Sequence, residues 1–76
     1  MIAPRLIADS APERVLSARQ LEVLALIARG LSTDGIAGEL VVSPCTVRAH
    51  VRNILGKLHL NRRQELVRYA LDHGIE

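Results

Sequence analysis

The chain predicts an all-α protein, a four-helix bundle of short amphipathic helices. Three observations carry this. Apolar side chains recur at i, i+3, i+4 and i+7, while few runs alternate with the period of two that a half-buried strand needs. Tyr69 is the one aromatic residue, so the core must be built from Leu, Ile, Val and Ala, the residues of helix–helix packing. Capping and helix-stopping residues then divide the sequence into four segments.

Residues 1–15, "MIAPRLIADSAPERV", hold two of the three prolines and no sustained period. They read as a linker, with a short helical turn at Arg5–Ala8, ahead of one small domain over residues 16–76. The first helix, about residues 18–29, opens with Ser17 and Gln20 as a capping box and Leu16 and Leu21 as a hydrophobic staple. Leu24, Ile27, Ala28 and Leu31 form its apolar face, and Gly30 ends it where a left-handed residue is wanted.

Ser32 or Thr33 caps the second helix, about residues 33–40, which carries Ile36, Ala37 and Leu40. Gly35 and Gly38 each cost about 1 kcal/mol against Ala in a helix interior, so tertiary packing must hold it. Only Val41, Val42 and Ser43 precede Pro44, which takes the first position of a third helix, residues 44–58, behind the N-cap Ser43. Val42 and Val47 form a second staple. Val47, Val51, Ile54, Leu55 and Leu58 fall in one sector of the helix. The opposite side holds Cys45, Ala49, Arg52, Asn53 and Gly56, with Arg48 on its shoulder. Asn61 and Gln64 read as the capping box of a fourth helix, about residues 62–72, with Gly74 just beyond its end.

Charge and composition narrow the function. The net charge is +2, but Arg48, Arg52, Lys57, Arg62, Arg63 and Arg68 face only Glu65 between Ser43 and Arg68. Such a concentration is the footprint of a polyanion-binding face. The lone Cys45 excludes an internal disulfide and a Cys-based zinc site and suits a reducing cytosol. It reads as a small exposed residue near the partner. His50, His59 and His73 form no ligand spacing, so no metal or other cofactor is expected. No apolar run approaches the roughly 20 residues of a membrane span, and the N-terminus does not read as a signal peptide, so the expected location is the cytoplasm. Nothing supplies a nucleophile–base pair or a phosphate-cradling loop, which argues against an enzyme. Glu22 is expected to pair with a cation of the third helix or the linker.

Two helices joined by about three residues, the second with a bare basic face, make a helix-turn-helix. Ala37 supplies the small residue where they cross. On the third helix, Ala49 and Gly56 let the backbone approach base edges. Arg48 and Arg52, about 6 Å apart along the axis at 1.5 Å per residue, carry forks that match guanine O6 and N7. Thr33, Ser43 and Thr46 sit at helix starts, where hydroxyls meet phosphate oxygens. His50, Asn53, Lys57 and Arg62 complete the expected phosphate contacts. Arg63 is equally a phosphate contact or solvated charge.

The segments "LSARQLEVLALIARGLS", "IAGELVVSPCTVRAHVRNILGKL" and "RQELVRYALDHGI" together resemble the LuxR/FixJ (GerE-type) DNA-binding domain of bacterial transcription regulators, over residues 16–75. The resemblance implies a tetrahelical domain that binds double-stranded DNA, with Arg48, Ala49 and Arg52 facing bases. It also implies dimerisation through the fourth helix. There Gln64, Arg68 and Leu71 form a narrow stripe beside the core-facing Leu66, Val67 and Ala70, so the homodimer should be weak and strengthened on DNA. RNA polymerase is a further candidate partner; neither a membrane nor a small-molecule ligand of this domain is expected. Family members usually follow a receiver or ligand-binding domain, and "APRLIAD" resembles the segment after a receiver, which points to the output domain of a response regulator. Small stand-alone members also exist. Two positions depart from the pattern: Gly35 cannot complete a capping box, and Leu66 stands where Ala is favoured. Two other classes remain open. Region four of a sigma factor has a similar "IA..L..S..TV" stretch, against which a capped fourth helix argues. A helical protein-interaction module is the other, against which the six cations weigh.

Overall fold

A computed structural model describes residues 15–75. Residues 1–14 of the expected linker, with the helical turn at Arg5–Ala8, lie outside the described residues; Val15, its last residue, is half-buried against the core. Among those residues the fold is all-α, without strands: α1 (Ala18–Ala28), α2 (Thr33–Leu40), α3 (Pro44–Leu58) and α4 (Arg63–Asp72).

Local chemistry sets each start. Ser17 Oγ accepts from the Gln20 amide at 3.2 Å, and Gln20 Oε1 accepts from the Ser17 amide at 2.9 Å, a reciprocal cap on α1. Ser32, not Thr33, caps α2 by accepting from the Gly35 amide at 3.1 Å. Ser43 Oγ accepts from the Thr46 amide at 3.1 Å, with Pro44 as the first residue of α3. The start of α4 corrects the expected Asn61–Gln64 box. Arg62 is the N-cap, and Glu65 Oε1 accepts the amides of Asn61 at 2.8 Å and Arg62 at 2.9 Å. An ionised carboxylate binds two amides at once, which a neutral side-chain amide does less well.

All four helices close with the same turn, a left-handed residue one position past the helix in α2 and α3 and two past it in α1 and α4, after which the next amide reaches back to a carbonyl of the last turn. α1 ends at Ala28, one residue early, with Gly30 at φ 91 and the Leu31 amide on Leu26 O at 3.2 Å. Gly74, φ 70, serves α4, with the Ile75 amide on Ala70 O at 2.8 Å. The other two helices use Val41, φ 56, and His59, φ 57, where no glycine marks the stop.

α4 packs chiefly on α1, α2 on α3, and α1 bridges to α3. Contact with α3 and α4 as well as α2 widens the buried face of α1 beyond the single expected stripe. Val23 and Leu26 are buried with Leu24 and Ile27, whereas Ala28 and Leu31 are half-buried. Ile36, Val47, Ile54, Leu66 and Ala70 complete the closed centre. Leu66, which departs from the Ala that the resemblance favours, is fully buried, a burial worth about 1.5–3 kcal/mol. Ala37 is also buried, on a helix that packs chiefly on α3.

Candidate nucleic-acid interface

Since Val47 and Ile54 are buried and Val51, Leu55 and Leu58 half-buried, one side of α3 is committed to the domain. The other side is bare. Cys45, Arg48, Ala49, Arg52, Asn53 and Gly56 are all exposed, and a Cβ added at Gly56 would meet no atom within 4 Å. A helix with small exposed residues along one side and two arginines beside that strip suits insertion into a groove lined by hydrogen-bonding edges.

The residues around this face divide into two groups. Ser43 and Thr46 are exposed at the start of α3, their hydroxyls 2.9 Å apart and bonded to each other. Asn53 and Arg62 are exposed, and His50 is half-buried on the flank. Two expected positions are already engaged. Lys57 Nζ donates to Gln20 Oε1 at 3.0 Å, so this cation is held against α1 rather than on the open side. It also satisfies Gln20, whose oxygen caps Ser17 and which is otherwise buried. The side was legible, though not the partner: nine residues at 100° each set Lys57 about half a turn from Arg48.

Thr33 Oγ1 accepts from an Arg63 Nη at 2.9 Å, and the other Arg63 Nη donates to Leu31 O at 2.8 Å. Arg63 therefore ties the start of α4 to the start of α2. It also lines, with Thr33, Arg48, Val51, Arg52 and Leu55, an open cleft of about 310 Å³. No local sequence pattern shows this tie, because its partners are 30 and 32 residues away.

Glu22 corrects another expectation, pairing within α1 with Arg19 at 3.5 Å. Both side chains are exposed, so the pair contributes little. Glu65 is more consequential: the two amides it accepts hold its carboxyl below the ordinary glutamate range, with Arg62 adding attraction. Along α4, Gln64 and Arg68 are exposed and Leu71 keeps 54% of its surface, while Leu66 and Ala70 face inward and Val67 is half-buried. A shallow groove of about 480 Å³ runs beside this stripe, lined by Leu60, Gln64, Glu65, Arg68, Tyr69 and Asp72. The ring of Tyr69, one of the lining residues, lies 4.2 Å from that of His73.

Among the described residues no group of three or more His, Cys, Asp or Glu could hold a metal ion, and no helix is long and apolar enough to cross a membrane.

Comparison with known proteins fits this geometry. Residues 14–70 match the family described as bacterial regulatory proteins, luxR family. The chain is 52% identical over 60 residues to the oxygen regulatory protein NreC of Staphylococcus carnosus strain TM300, covering 79% of this chain and 28% of that protein. It is 49% identical over 63 residues to NreC of Staphylococcus epidermidis strain RP62A, covering 83% and 29%. Against NreC of Staphylococcus haemolyticus strain JCSC1435 it is 50% identical over 60 residues, covering 79% and 28%. The chain thus spans less than a third of the length of these relatives.

Proposed function

We propose that this chain, which belongs to the luxR family of bacterial regulatory proteins, binds double-stranded DNA sequence-specifically by laying α3 in the major groove. One observation carries the reading: α3 is anchored by Val47 and Ile54 while Arg48, Ala49, Arg52 and Gly56 on its other side are exposed. Arg52 lies beside the small residues Ala49 and Gly56, where the backbone comes nearest to bases, so its fork reads a guanine edge. Ser43, Thr46, Asn53 and Arg62 contact phosphates on either side and set the register. The domain serves transcription regulation in the cytoplasm as the output part of a response regulator, pairing weakly through Gln64, Arg68 and Leu71 of α4 when two half-sites lie side by side. Contact with RNA polymerase belongs to the same proposal.

The test is a DNA titration across salt. Three to five phosphate contacts per protomer should give a log–log slope of about −3 to −4.5, at about −0.9 per phosphate. A slope near zero would remove DNA as the partner and leave a protein-interaction module. On a site selected from a random pool, Arg52→Ala should cost about 1–3 kcal/mol and relax preference at one or two positions. An equal loss on random DNA would demote Arg52 to a phosphate contact.

A further inference from the structure

We infer that the cleft between α2, α3 and α4 is a seat for one backbone phosphodiester of bound DNA, with Arg63 as its least exposed cation. The inference rests on the DNA-binding reading above and goes beyond it, since the sequence leaves Arg63 open between phosphate contact and solvated charge, whereas its fixed partners and its place in the cleft decide between them.

Three guanidinium side chains, Arg48, Arg52 and Arg63, line one cleft of about 310 Å³ without a carboxylate among the lining residues. Among the described residues the one ion pair is Arg19–Glu22, on another helix. Like charges gathered in this way repel each other until an anion enters. Arg63 cannot relieve this by swinging into solvent, because its two terminal nitrogens are fixed on Thr33 Oγ1 and Leu31 O at 2.9 and 2.8 Å. Both acceptors are uncharged, so the bonds hold the guanidinium in place and leave its charge intact. Its five N–H donors exceed those two bonds. Thr33 Oγ1 spends a lone pair on Arg63, which leaves its own O–H to donate to an anionic oxygen.

The rest of the lining selects the kind of anion. Val51 and Leu55 give the cleft an apolar wall between the cations. A bare inorganic anion makes no use of such a wall, whereas a sugar–phosphate backbone presents the apolar face of its ring next to the charged group. The cleft flanks the exposed side of α3 through Arg48 and Arg52, so a strand bordering the groove would pass over it. Arg62, one residue earlier and expected from sequence to contact phosphate, does not line the cleft; Arg63 does.

The experiment is a salt series on a random-sequence duplex with the 76-residue chain, Arg63→Gln, and Arg19→Gln as a charge-matched control on α1. A parent slope near zero would refute DNA binding itself. Given a parent slope of about −3 or steeper, Arg63→Gln should be shallower by about 0.9, the loss of one phosphate contact, and Arg19→Gln unchanged. Weaker binding by Arg63→Gln at an unchanged slope would make Arg63 a structural tie only and overturn the proposal. Should circular dichroism show Arg63→Gln unfolded, the unaltered chain decides. Its Arg63 side-chain N–H resonances should shift on adding the duplex and return with salt, and resonances that stay still overturn the proposal.

Discussion

Replacing Val41 with glycine should stabilise the domain although it deletes a branched apolar side chain. Val41 holds φ 56 and ψ 51 at the end of α2, a left-handed conformation in which its Cβ crowds the following carbonyl. That crowding costs about 1–2 kcal/mol for an L-residue, and branching at Cβ adds to it. The side chain is 88% exposed, so truncation gives up almost no buried area. The backbone bonds of the turn, from the Val41 and Val42 amides to Ala37 O, need no side chain. Against the gain stands the extra freedom of glycine in the unfolded chain, about 0.5–1 kcal/mol. The net is a gain of about 0.5–1 kcal/mol, or about 2–8 °C in melting temperature at about 4–8 °C per kcal/mol for a domain of this size. Thermal melts followed by circular dichroism, with urea midpoints beside them, measure it. Val41→Ala keeps the Cβ and should recover less. The converse change, Gly30→Ala, places a Cβ that meets nothing within 4 Å but at φ 91, so it should lose about 1 kcal/mol through the backbone alone. A Val41→Gly protein that melts at or below the parent would refute the reasoning, since no contact remains to blame.

Leu71→Asp should leave folding and single half-site binding nearly intact, because that side chain is already 54% exposed, while abolishing cooperative binding to a paired site. Cooperativity that survives the change places the dimer contact off α4. Glu65→Gln should flatten the acid side of the stability profile. The folded carboxyl lies below its ordinary value, so its contribution is present above about pH 4.3 and fades as pH falls through the lower folded value. A variant whose melting temperature declines with acid as steeply as the parent's would show that the Glu65 cap is not the group titrating.

The helices were legible because their causes are local. Ser17, Ser32 and Ser43 each precede a periodic apolar run, and each caps an amide three residues on. What escaped was decided by competition or by tertiary packing. Asn61 and Gln64 fit a capping pattern as well as any pair, but Glu65 stands one residue later with a charged acceptor and takes both amides. Val41 and His59 are poor left-handed residues and carry no stop signal. They adopt that conformation because α2 and α3 must turn sharply to bury Val42 and Leu60 beside the core, and the chain accepts local strain for that packing. The second buried edge of α1, through Val23 and Leu26, reflects contact with both α3 and α4, which no single-helix pattern encodes.

The candidate site divides along the same line. That one side of α3 is bare follows from period and residue type alone, since the positions opposite Val47 and Ile54 have nowhere else to point. How the positive field is aimed does not follow, because it depends on contacts spanning 30 to 37 residues. Two of the six cations between Ser43 and Arg68 are fixed by the fold, Lys57 on Gln20 and Arg63 on Thr33 and Leu31. Every one of those acceptors is neutral. Glu65, the only acid in that stretch, spends Oε1 on two amides. Pairing with carboxylates would have held the same side chains still while cancelling their charge. Neutral acceptors hold them without cancelling it, so the fold loses side-chain freedom on these two cations but keeps the potential that draws a polyanion. Pre-fixed cations also have less entropy to lose when a phosphate arrives, and Arg63 is therefore better placed to contribute to affinity than the more exposed Arg62.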